Sequence, residues 1–389
     1  MFSSRFHWDL RPNRLTRLLD EKRRAGTRVL DLTESNPTRA GFSYPDEVVQ
    51  ALADPRALGY DPQPAGLLAA REAVCRYYAE AGHTIEPDRV LLTASTSEAY
   101  AYLFKLLSDP GDEVLVPRPS YPLFEFLAAM ESLRVVPYPL VCQGGWSIDC
   151  HALAAAVTDR TRAVVLVNPN NPTGSFLKRD ELRFLIDLCQ ERGLALISDE
   201  VFADFAFAED AERVRTLAGG SAVLTFSMSG LSKIAGLPQM KLGWIVIAGP
   251  AAASAEAREK LELTADTYLS VGTPVQHAAP RLLELGKAIQ KQIASRTRSN
   301  LEGLKAAIGA ESACSVLPVE GGWYATVQVP RIRREEEWAI KLLGEDDVLV
   351  QPGFFYDFES EAFLVLSLLT EPEIFLEGCR RLLARVEGC

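Results

Sequence analysis

Short apolar runs, each followed directly by polar residues, recur through the middle of the 389-residue chain. Three of them are Ala163–Val167, Leu194–Ile197 and Ala222–Phe226. Runs of this length match buried β-strands, because a buried helix needs about ten or more residues. Amphipathic helical patterns separate such runs, as over residues 182–189. The alternation from about residue 90 to 250 predicts a mostly parallel, helix-covered sheet of the α/β class.

A second group of patterns lies near the C-terminus. The runs over residues 321–327, 348–353 and 363–367 predict strands, and helical patterns surround them. This mixture indicates a smaller α+β domain. The chain is too long for one ordinary core, so two or three domains are expected. The first 30 residues or so are basic with leucines at helical spacing, which predicts an N-terminal helix.

The composition, with 48% hydrophobic and 24% charged residues, is that of an ordinary globular protein. A net charge of −11 argues against a nucleic-acid partner, which would need a basic face. No apolar run could span a bilayer and the start lacks an apolar signal core, so we expect no membrane partner and a cytoplasmic location. The seven cysteines contain no Cys-x-x-Cys pair and are expected to be reduced. The four histidines lie too far apart to suggest a metal site.

Side chains that carry chemistry follow the three central apolar runs. Asn171 lies in the loop after the first run, Asp199 follows the second, and Lys233 lies in a predicted loop after the third. Because parallel strands end at the same sheet edge, these side chains are expected to meet. They suit pyridoxal phosphate: the lysine forms an imine, the carboxylate faces the pyridine nitrogen and the amide faces the phenolic oxygen. Considered alone, Lys233 is better interpreted as a solvated surface lysine.

The three motifs together resemble the class I/II aminotransferases of fold type I. The family's order is reproduced by Asn171–Gly174, Asp199–Phe202 and Ser232–Lys233, and the similarity extends from about Asn36 to the C-terminus. The resemblance implies pyridoxal 5'-phosphate as the cofactor. It also implies an N-terminal arm that forms part of the small domain, a large cofactor-binding domain and a small C-terminal domain, over residues 1–45, 46–285 and 286–389.

A phosphate site is implied at the helix predicted after Leu91–Thr93. Ser95 and Glu98 form a capping-box pattern, and free N–H groups at a helix start can hold a phosphate dianion. The resemblance places the cofactor phosphate there, with Thr96 and Ser97. The other cofactor contacts that it implies are Tyr121 against the ring, Phe202, Ser229, Ser232, Lys241, and Tyr60 reaching from a second subunit.

Three positions depart from the family pattern. Phe202 stands where tyrosine is usual, and Lys241 where arginine is usual. Val365 stands where an arginine normally clamps the substrate carboxylate. Since a hydrogen bond to a charged group contributes about 1.5–3 kcal/mol, either another cation replaces that arginine or the substrate lacks the carboxylate. The residues expected near the substrate are Ser35, Asn36 and Arg39. Arg39 is the candidate replacement, and the favoured alternative is that it is an ordinary exposed arginine.

The resemblance implies a transaminase that moves an amino group between an amino acid or related amine and a 2-oxo acid through the Lys233 imine. A lyase or decarboxylase on the same fold is the alternative, because the fold supports several reactions of this cofactor. A cofactor-binding regulator is disfavoured, since the first 30 residues or so are too short for a DNA-binding domain. The assignments of Tyr60 and of the N-terminal arm imply a homodimer with shared sites.

Overall fold

A computed structural model gives the fold of residues 2–6, 8–309 and 311–388. Within these ranges the strands are β1 (Leu30–Asp31), β2 (Val90–Thr93), β3 (Glu113–Arg118), β4 (Arg134–Cys142), β5 (Trp146–Ile148), β6 (Thr161–Val167), β7 (Ala195–Asp199), β8 (Thr225–Gly230), β9 (Gly243–Ala248), β10 (Ser315–Val316), β11 (Tyr324–Gln328), β12 (Val348–Leu349), β13 (Gln351–Pro352) and β14 (Phe363–Ser367). The α-helices are α1 (Arg14–Arg24), α2 (Glu47–Gln50), α3 (Leu68–Glu80), α4 (Thr96–Leu107), α5 (Phe124–Met130), α6 (Cys150–Ala156), α7 (Arg179–Arg192), α8 (Leu231–Ile234), α9 (Ala251–Tyr268), α10 (Thr273–Ala307), α11 (Glu335–Asp346) and α12 (Pro372–Glu387).

The large domain is built on an eight-stranded sheet in the order β2-β9-β8-β7-β6-β3-β4-β5. Its centre from β8 to β4 is parallel, whereas β9 runs antiparallel to both of its neighbours. Successive residues of β6 enter different apolar clusters, Val165 with Leu103 of α4 and Val164 with Leu185 of α7. Helices therefore cover both faces of the sheet, which confirms the predicted α/β class with a mostly parallel sheet.

Both ends of the chain form the small domain. Its main sheet is antiparallel, in the order β10-β11-β14-β13. Strand β1 pairs in parallel with β12, so that Leu30 lies opposite Val348. Helix α1 packs on α11 through the buried Leu15, and Lys22 forms an ion pair with Asp347. The N-terminal segment thus belongs to the small domain of its own chain.

Helix α10 connects the two domains. It is 35 residues long and packs on α3 at one end and on α12 at the other. The boundary expected at residue 285 lies inside this continuous helix, so the domains share an element at that point. Neither α10 nor any other helix within the described ranges is long and apolar enough to cross a bilayer.

Three predicted elements differ from the structure. The strand expected over residues 222–226 is β8, which begins at Thr225 and continues to Gly230. Its serines Ser227 and Ser229 are buried and pair with β9, because small side chains fit the closely packed centre of the sheet. The predicted loop around Lys233 is consequently wrong, since this residue lies on the short helix α8. The strand expected over residues 348–353 is divided into β12 and β13.

Candidate active site

The ends of β6, β7 and β8 bring the three predicted side chains to one edge of the large sheet. Val167 pairs with Asp199, and Asp199 pairs with Met228, so the three strands end at nearly the same level. Asn171 follows β6 in its loop, and Lys233 follows β8 by one helical turn. The edge of the sheet therefore places these side chains on neighbouring strand ends, as open α/β sheets do at their ligand sites.

Lys233 is held between aromatic rings from both domains. Its Nζ lies 5.0 Å from the ring centroid of Trp323 and 5.7 Å from that of Phe202. Burial lowers the pKa of Lys233 to about 8, and the charge of Asp199 opposes that shift. Trp323 directly precedes β11 of the small domain. The amine thus lies at the domain interface, with a larger neutral fraction near neutral pH than an ordinary lysine.

Asp199 is a buried carboxylate at the end of β7. Its Oδ2 accepts a hydrogen bond from the Tyr100 hydroxyl at 3.2 Å, and its Oδ1 accepts one from the Val201 N–H at 3.3 Å. Burial raises the pKa of Asp199 to about 6, while these hydrogen bonds and the nearby Lys233 lower it. A carboxylate in such surroundings is stabilised in its ionised form by any cation brought beside it.

Among the buried polar atoms that have no hydrogen-bond partner within the part of the chain that the structure describes, two belong to residues expected in the site. They are Oδ1 of Asn171 and Oγ of Ser229. Buried polar groups in folded proteins are almost always hydrogen-bonded, so such atoms call for an explanation. Both lie on segments that end at the sheet edge, beside Asp199 and Lys233. Their unused hydrogen-bonding capacity fits a polar group bound at this edge.

Helix α4 begins at the same edge of the sheet with Ser95 as its N-cap, and Glu98 reaches back to Ala94 rather than to Ser95 as a full capping box would require. The Ser95 Oγ accepts a hydrogen bond from the Glu98 N–H at 3.2 Å, and Glu98 Oε2 accepts one from the Ala94 N–H at 2.6 Å. Thr96 and Ser97 form the first turn. A Cβ added to Gly243, at the start of β9, would lie 3.2 Å from the Ser95 carbonyl carbon. The helix start is therefore adjacent to the strand that pairs with β8.

The remaining residues expected around the phosphate divide into two groups. Ser232 precedes Lys233 on α8, and the exposed Lys241 precedes β9 in a left-handed conformation with φ of 51°. Leu231 N–H donates to the Leu242 carbonyl at 2.9 Å, which ties these two segments together. Tyr60 is different, because it is 79% exposed and lies in a groove with Ser270.

Tyr121 is linked to the carboxylate through aromatic contacts. Its ring meets Phe124 edge-on at 6.4 Å, and Phe124 meets Tyr100 at 5.5 Å. Burial raises the pKa of the Tyr121 hydroxyl, and the charge of Asp199 contributes to the same shift. The structure therefore places Tyr121 on the Asp199 side of the site.

The segment expected to meet the substrate is only partly in position. Ser35 hydrogen-bonds Tyr324, whose pKa burial raises to about 12. The Asn36 side chain is used within its own turn, where its Oδ1 accepts from the Thr38 N–H at 3.0 Å. Arg39 is exposed to solvent. Of the three predicted substrate residues, Ser35 is the one that the structure joins to the aromatic groups around Lys233.

Three aromatic residues of the site were not predicted as site residues. Tyr100 fits the apolar face of α4, and its contact with Asp199 depends on how that helix packs on the sheet. Trp323 and Tyr324 fit the strand pattern of the small domain, and reach Phe202 only through domain packing, with ring centroids 5.3 and 6.3 Å away. For Tyr100 a local signal exists, because it lies one turn after Thr96 at the helix start.

A buried lysine, a carboxylate and an incompletely bonded amide thus lie together at one sheet edge. The chain belongs to the family described as aminotransferase class I and II, whose model matches residues 27–381.

Similar proteins agree with this family assignment. The chain is 32% identical over 256 residues to the glutamate-pyruvate aminotransferase of Escherichia coli, covering 65% of this chain and 63% of that protein. It is 28% identical over 368 residues to the tyrosine aminotransferase of Mus musculus, covering 91% and 80%. The structure of an alanine aminotransferase from Pyrococcus furiosus superimposes with a TM-score of 0.90 at 25% identity, covering 100% of both chains. The match to the first relative thus spans less than two thirds of that protein's length.

Proposed function

We propose that the protein is a pyridoxal-phosphate-dependent aminotransferase. It would move an amino group between an amino acid or related amine and a 2-oxo acid. The observation that carries the proposal is the buried Lys233 amine at the sheet edge, beside the Asp199 carboxylate and the unpartnered Asn171 oxygen. Membership of the class I and II family supports it, as do relatives named as glutamate-pyruvate and alanine aminotransferases.

The residues at the sheet edge fit the cofactor group by group. Lys233 would hold it covalently, Asp199 would face the ring nitrogen, and Asn171 would face the phenolic oxygen. When bound, the protonated ring accepts electron density from the substrate carbon. The phosphate would lie at the start of α4, where N–H groups are free. The residues assigned to the phosphate and ring are Ser95, Thr96, Ser97, Tyr121, Phe202, Ser229, Ser232 and Lys241, with Tyr60 from a second subunit.

Lys233 has the properties of a proton carrier. With its pKa lowered to about 8, its Nζ is partly neutral near pH 7 and can accept a proton as well as donate one. The rings of Trp323 and Phe202 confine the amine and exclude water from one side. Lys233 would therefore take the proton from the substrate carbon that bears the amine, and return it to the cofactor carbon on the other side of the amine nitrogen.

Asp199 and Tyr100 act as a pair in this proposal. In the protein without cofactor, burial raises the pKa of the Asp199 carboxyl to about 6. A protonated ring nitrogen in contact with it would lower that pKa and keep both groups charged. The Tyr100 hydroxyl, which donates to the carboxylate, fixes its orientation. Tyr100 is thus a positioning residue for Asp199.

A homodimer with shared sites is the second part of the proposal. Leu58 and Tyr60 are 93% and 79% exposed on one loop, and a single chain gives Tyr60 no contact with Lys233. A second copy covering this loop would bury both side chains and bring Tyr60 to a neighbouring phosphate. Sedimentation should show a dimer, and a fully active monomer would contradict this assembly. The cytoplasmic location remains a prediction.

The central test is covalent and spectroscopic. Purified protein with pyridoxal phosphate should be yellow, and borohydride should fix the cofactor on the peptide that contains Lys233. Adding an amino donor should convert the bound cofactor to its amine form and then stop until a 2-oxo acid is supplied. Lys233→Ala should lose both responses, whereas Lys241→Ala should retain the borohydride label. A label on Lys241, or continuous release of ammonia, would contradict the proposed function.

A further inference from the structure

Three strands of the small-domain sheet place a row of side chains on the face directed at the site. In the register of the sheet, Val365 of β14 lies between Thr326 of β11 and Gln351 of β13. Val365 belongs to the apolar cluster that contains Phe202, whereas its neighbours along β14 enter the core of the small domain. Since residues directly opposite each other share a face, the row Thr326–Val365–Gln351 faces the Lys233 side.

The row contains an unused hydrogen-bonding group. Thr326 is 3% exposed, and its Oγ1 has no hydrogen-bond partner within the described residues. The Gln351 Oε1 accepts from the Tyr356 hydroxyl. The Tyr356 carbonyl in turn accepts from the Ser120 N–H of the large domain at 2.9 Å. A segment that contacts both domains therefore covers the row. Among the described residues, the row presents one hydroxyl without a hydrogen-bond partner, beside an apolar side chain.

Nearby guanidinium groups are engaged away from this row. Arg296 donates to the carbonyls of Ala40 and Leu369 at 3.1 and 3.2 Å. Arg118 donates to the Asp357 carbonyl at 2.9 Å, and Arg39 is exposed to solvent. The side chains of the row itself are neutral. A carboxylate placed against it would lose water without gaining a charged partner, which is costly at a buried position.

We propose that Thr326, Val365 and Gln351 form a subsite for a neutral substituent on the carbon that bears the substrate amine. This inference rests on the proposed function and specifies its donor. The donor is a primary amine, an amino alcohol or an amino amide. Its neutral group accepts a hydrogen bond from the Thr326 hydroxyl or packs on Val365. A free α-amino acid binds more weakly because its carboxylate meets the same row.

The group transfer balances without any further reactant. The donor carbon loses its amino group and one hydrogen and gains a carbonyl oxygen from water. The 2-oxo acid loses its carbonyl oxygen as water, gains the amino group and the hydrogen, and becomes an amino acid. The acceptor's carboxylate also lacks a cation in the row, so the acceptor should show a high KM.

Matched donors test the subsite in the holoenzyme. Phenylalanine, phenylalaninamide and phenylalaninol share one side chain and differ only in the group that meets the row. Absorbance measures the conversion of the bound cofactor to its amine form. The kcat/KM of this conversion should be at least about tenfold higher for the amide or the alcohol than for phenylalanine. Equal or faster conversion by phenylalanine would overturn the inference and leave the proposed function standing. No conversion by any donor would contradict the proposed function itself.

Two variants locate the preference in the row. Val365→Arg should raise the efficiency with phenylalanine and lower the KM for pyruvate, each by about tenfold or more. Because this substitution adds volume at a buried position, Thr326→Val provides a milder test. It should raise the KM for phenylalaninamide several-fold. Thr297→Val, at a buried threonine of α10, is the matched control and should leave that KM unchanged. Identical responses of Thr326→Val and Thr297→Val would contradict the subsite.

Discussion

At the scale of single residues, the chemistry depends on how burial changes two opposite charges. Lys233 and Asp199 are both shifted towards their neutral forms, and each charge partly restores the other. In the protein without cofactor, a bound group can therefore replace the interaction between these two charges. The cost of burying the two charges is offset when the cofactor supplies new partners.

The lowered pKa of Lys233 predicts the pH dependence of cofactor capture. A neutral amine is the nucleophile, and a pKa of about 8 leaves roughly a tenth of it neutral at pH 7. The capture rate of pyridoxal phosphate by cofactor-free protein should rise with pH and level off above about 8. Asp199→Asn should shift the midpoint lower, because the aspartate charge raises the lysine pKa. A midpoint near the ordinary value of 10.5 would contradict the buried position.

Tyr100 gives a second prediction. Tyr100→Phe removes the hydroxyl that donates to Asp199, and this bond lowers the pKa of the carboxyl. The acid limb of the kcat–pH profile should therefore move to higher pH. Tyr138→Phe is the control, since it also removes one buried hydroxyl, bonded to the Val165 carbonyl at 2.8 Å. Both variants should lose about 1 kcal/mol of stability, and only Tyr100→Phe should shift the profile.

Sequence reasoning was most successful where a polar residue ends a strand. Asn171, Asp199 and Lys233 could be found because the sheet edge follows from the apolar runs before them. Trp323 could not, since its place beside Lys233 depends on packing between domains and leaves no periodic pattern. The sequence also could not decide whether Arg39 is exposed, because a turn that enters the site and one that points to solvent have the same composition.

At the scale of elements, the loop after β6 is constrained by the small domain. Gly174 has φ of +69°, and a Cβ there would lie 2.4 Å from the Gly321 carbonyl oxygen. The Gly174 carbonyl also accepts from the Glu320 N–H at 3.3 Å. The loop that carries Asn171 therefore approaches the small domain with backbone against backbone, a contact that a side chain would prevent.

Gly174→Ala tests this contact against a matched glycine. Gly193 has a similar φ of +66°, with no atom within 4 Å of an added Cβ. Gly193→Ala should therefore cost only the left-handed conformation, about 1–2 kcal/mol. Gly174→Ala should cost about 3 kcal/mol or more in unfolding free energy and weaken cofactor binding, because the loop must move. Equal losses in urea denaturation would show that the close approach is unimportant.

Element boundaries were predicted less well than element types. Strand β8 contains Ser227 and Ser229, which the hydropathy pattern assigned to a loop. Pairing with β9 and burial between neighbouring strands override this polar composition, and both are tertiary effects. Helix α1 lies within the first 30 residues, where the leucine spacing predicted a helix.

At the scale of the whole molecule, the small domain depends on residues from both ends of the chain. Leu15 of α1 is buried against this domain, whereas Leu10 is 86% exposed. Leu15→Ala should lower the unfolding free energy by about 2–5 kcal/mol, and Leu10→Ala by less than about 0.5 kcal/mol. Hydrogen exchange should accelerate in α11 and β12 in the Leu15 variant only. Protection unchanged in both variants would show that α1 does not stabilise the C-terminal segment.

The pairing of β1 with β12 has a consequence for synthesis on the ribosome. Leu30 leaves the exit tunnel early, and its partner Val348 is translated roughly 300 residues later. At about 5–20 residues per second, that interval lasts roughly 15–60 s. Throughout it, Leu30 and Leu32 lack the strand that covers them in the finished protein. The large domain can form cotranslationally, whereas the nascent N-terminus stays available to chaperones until the last segment emerges.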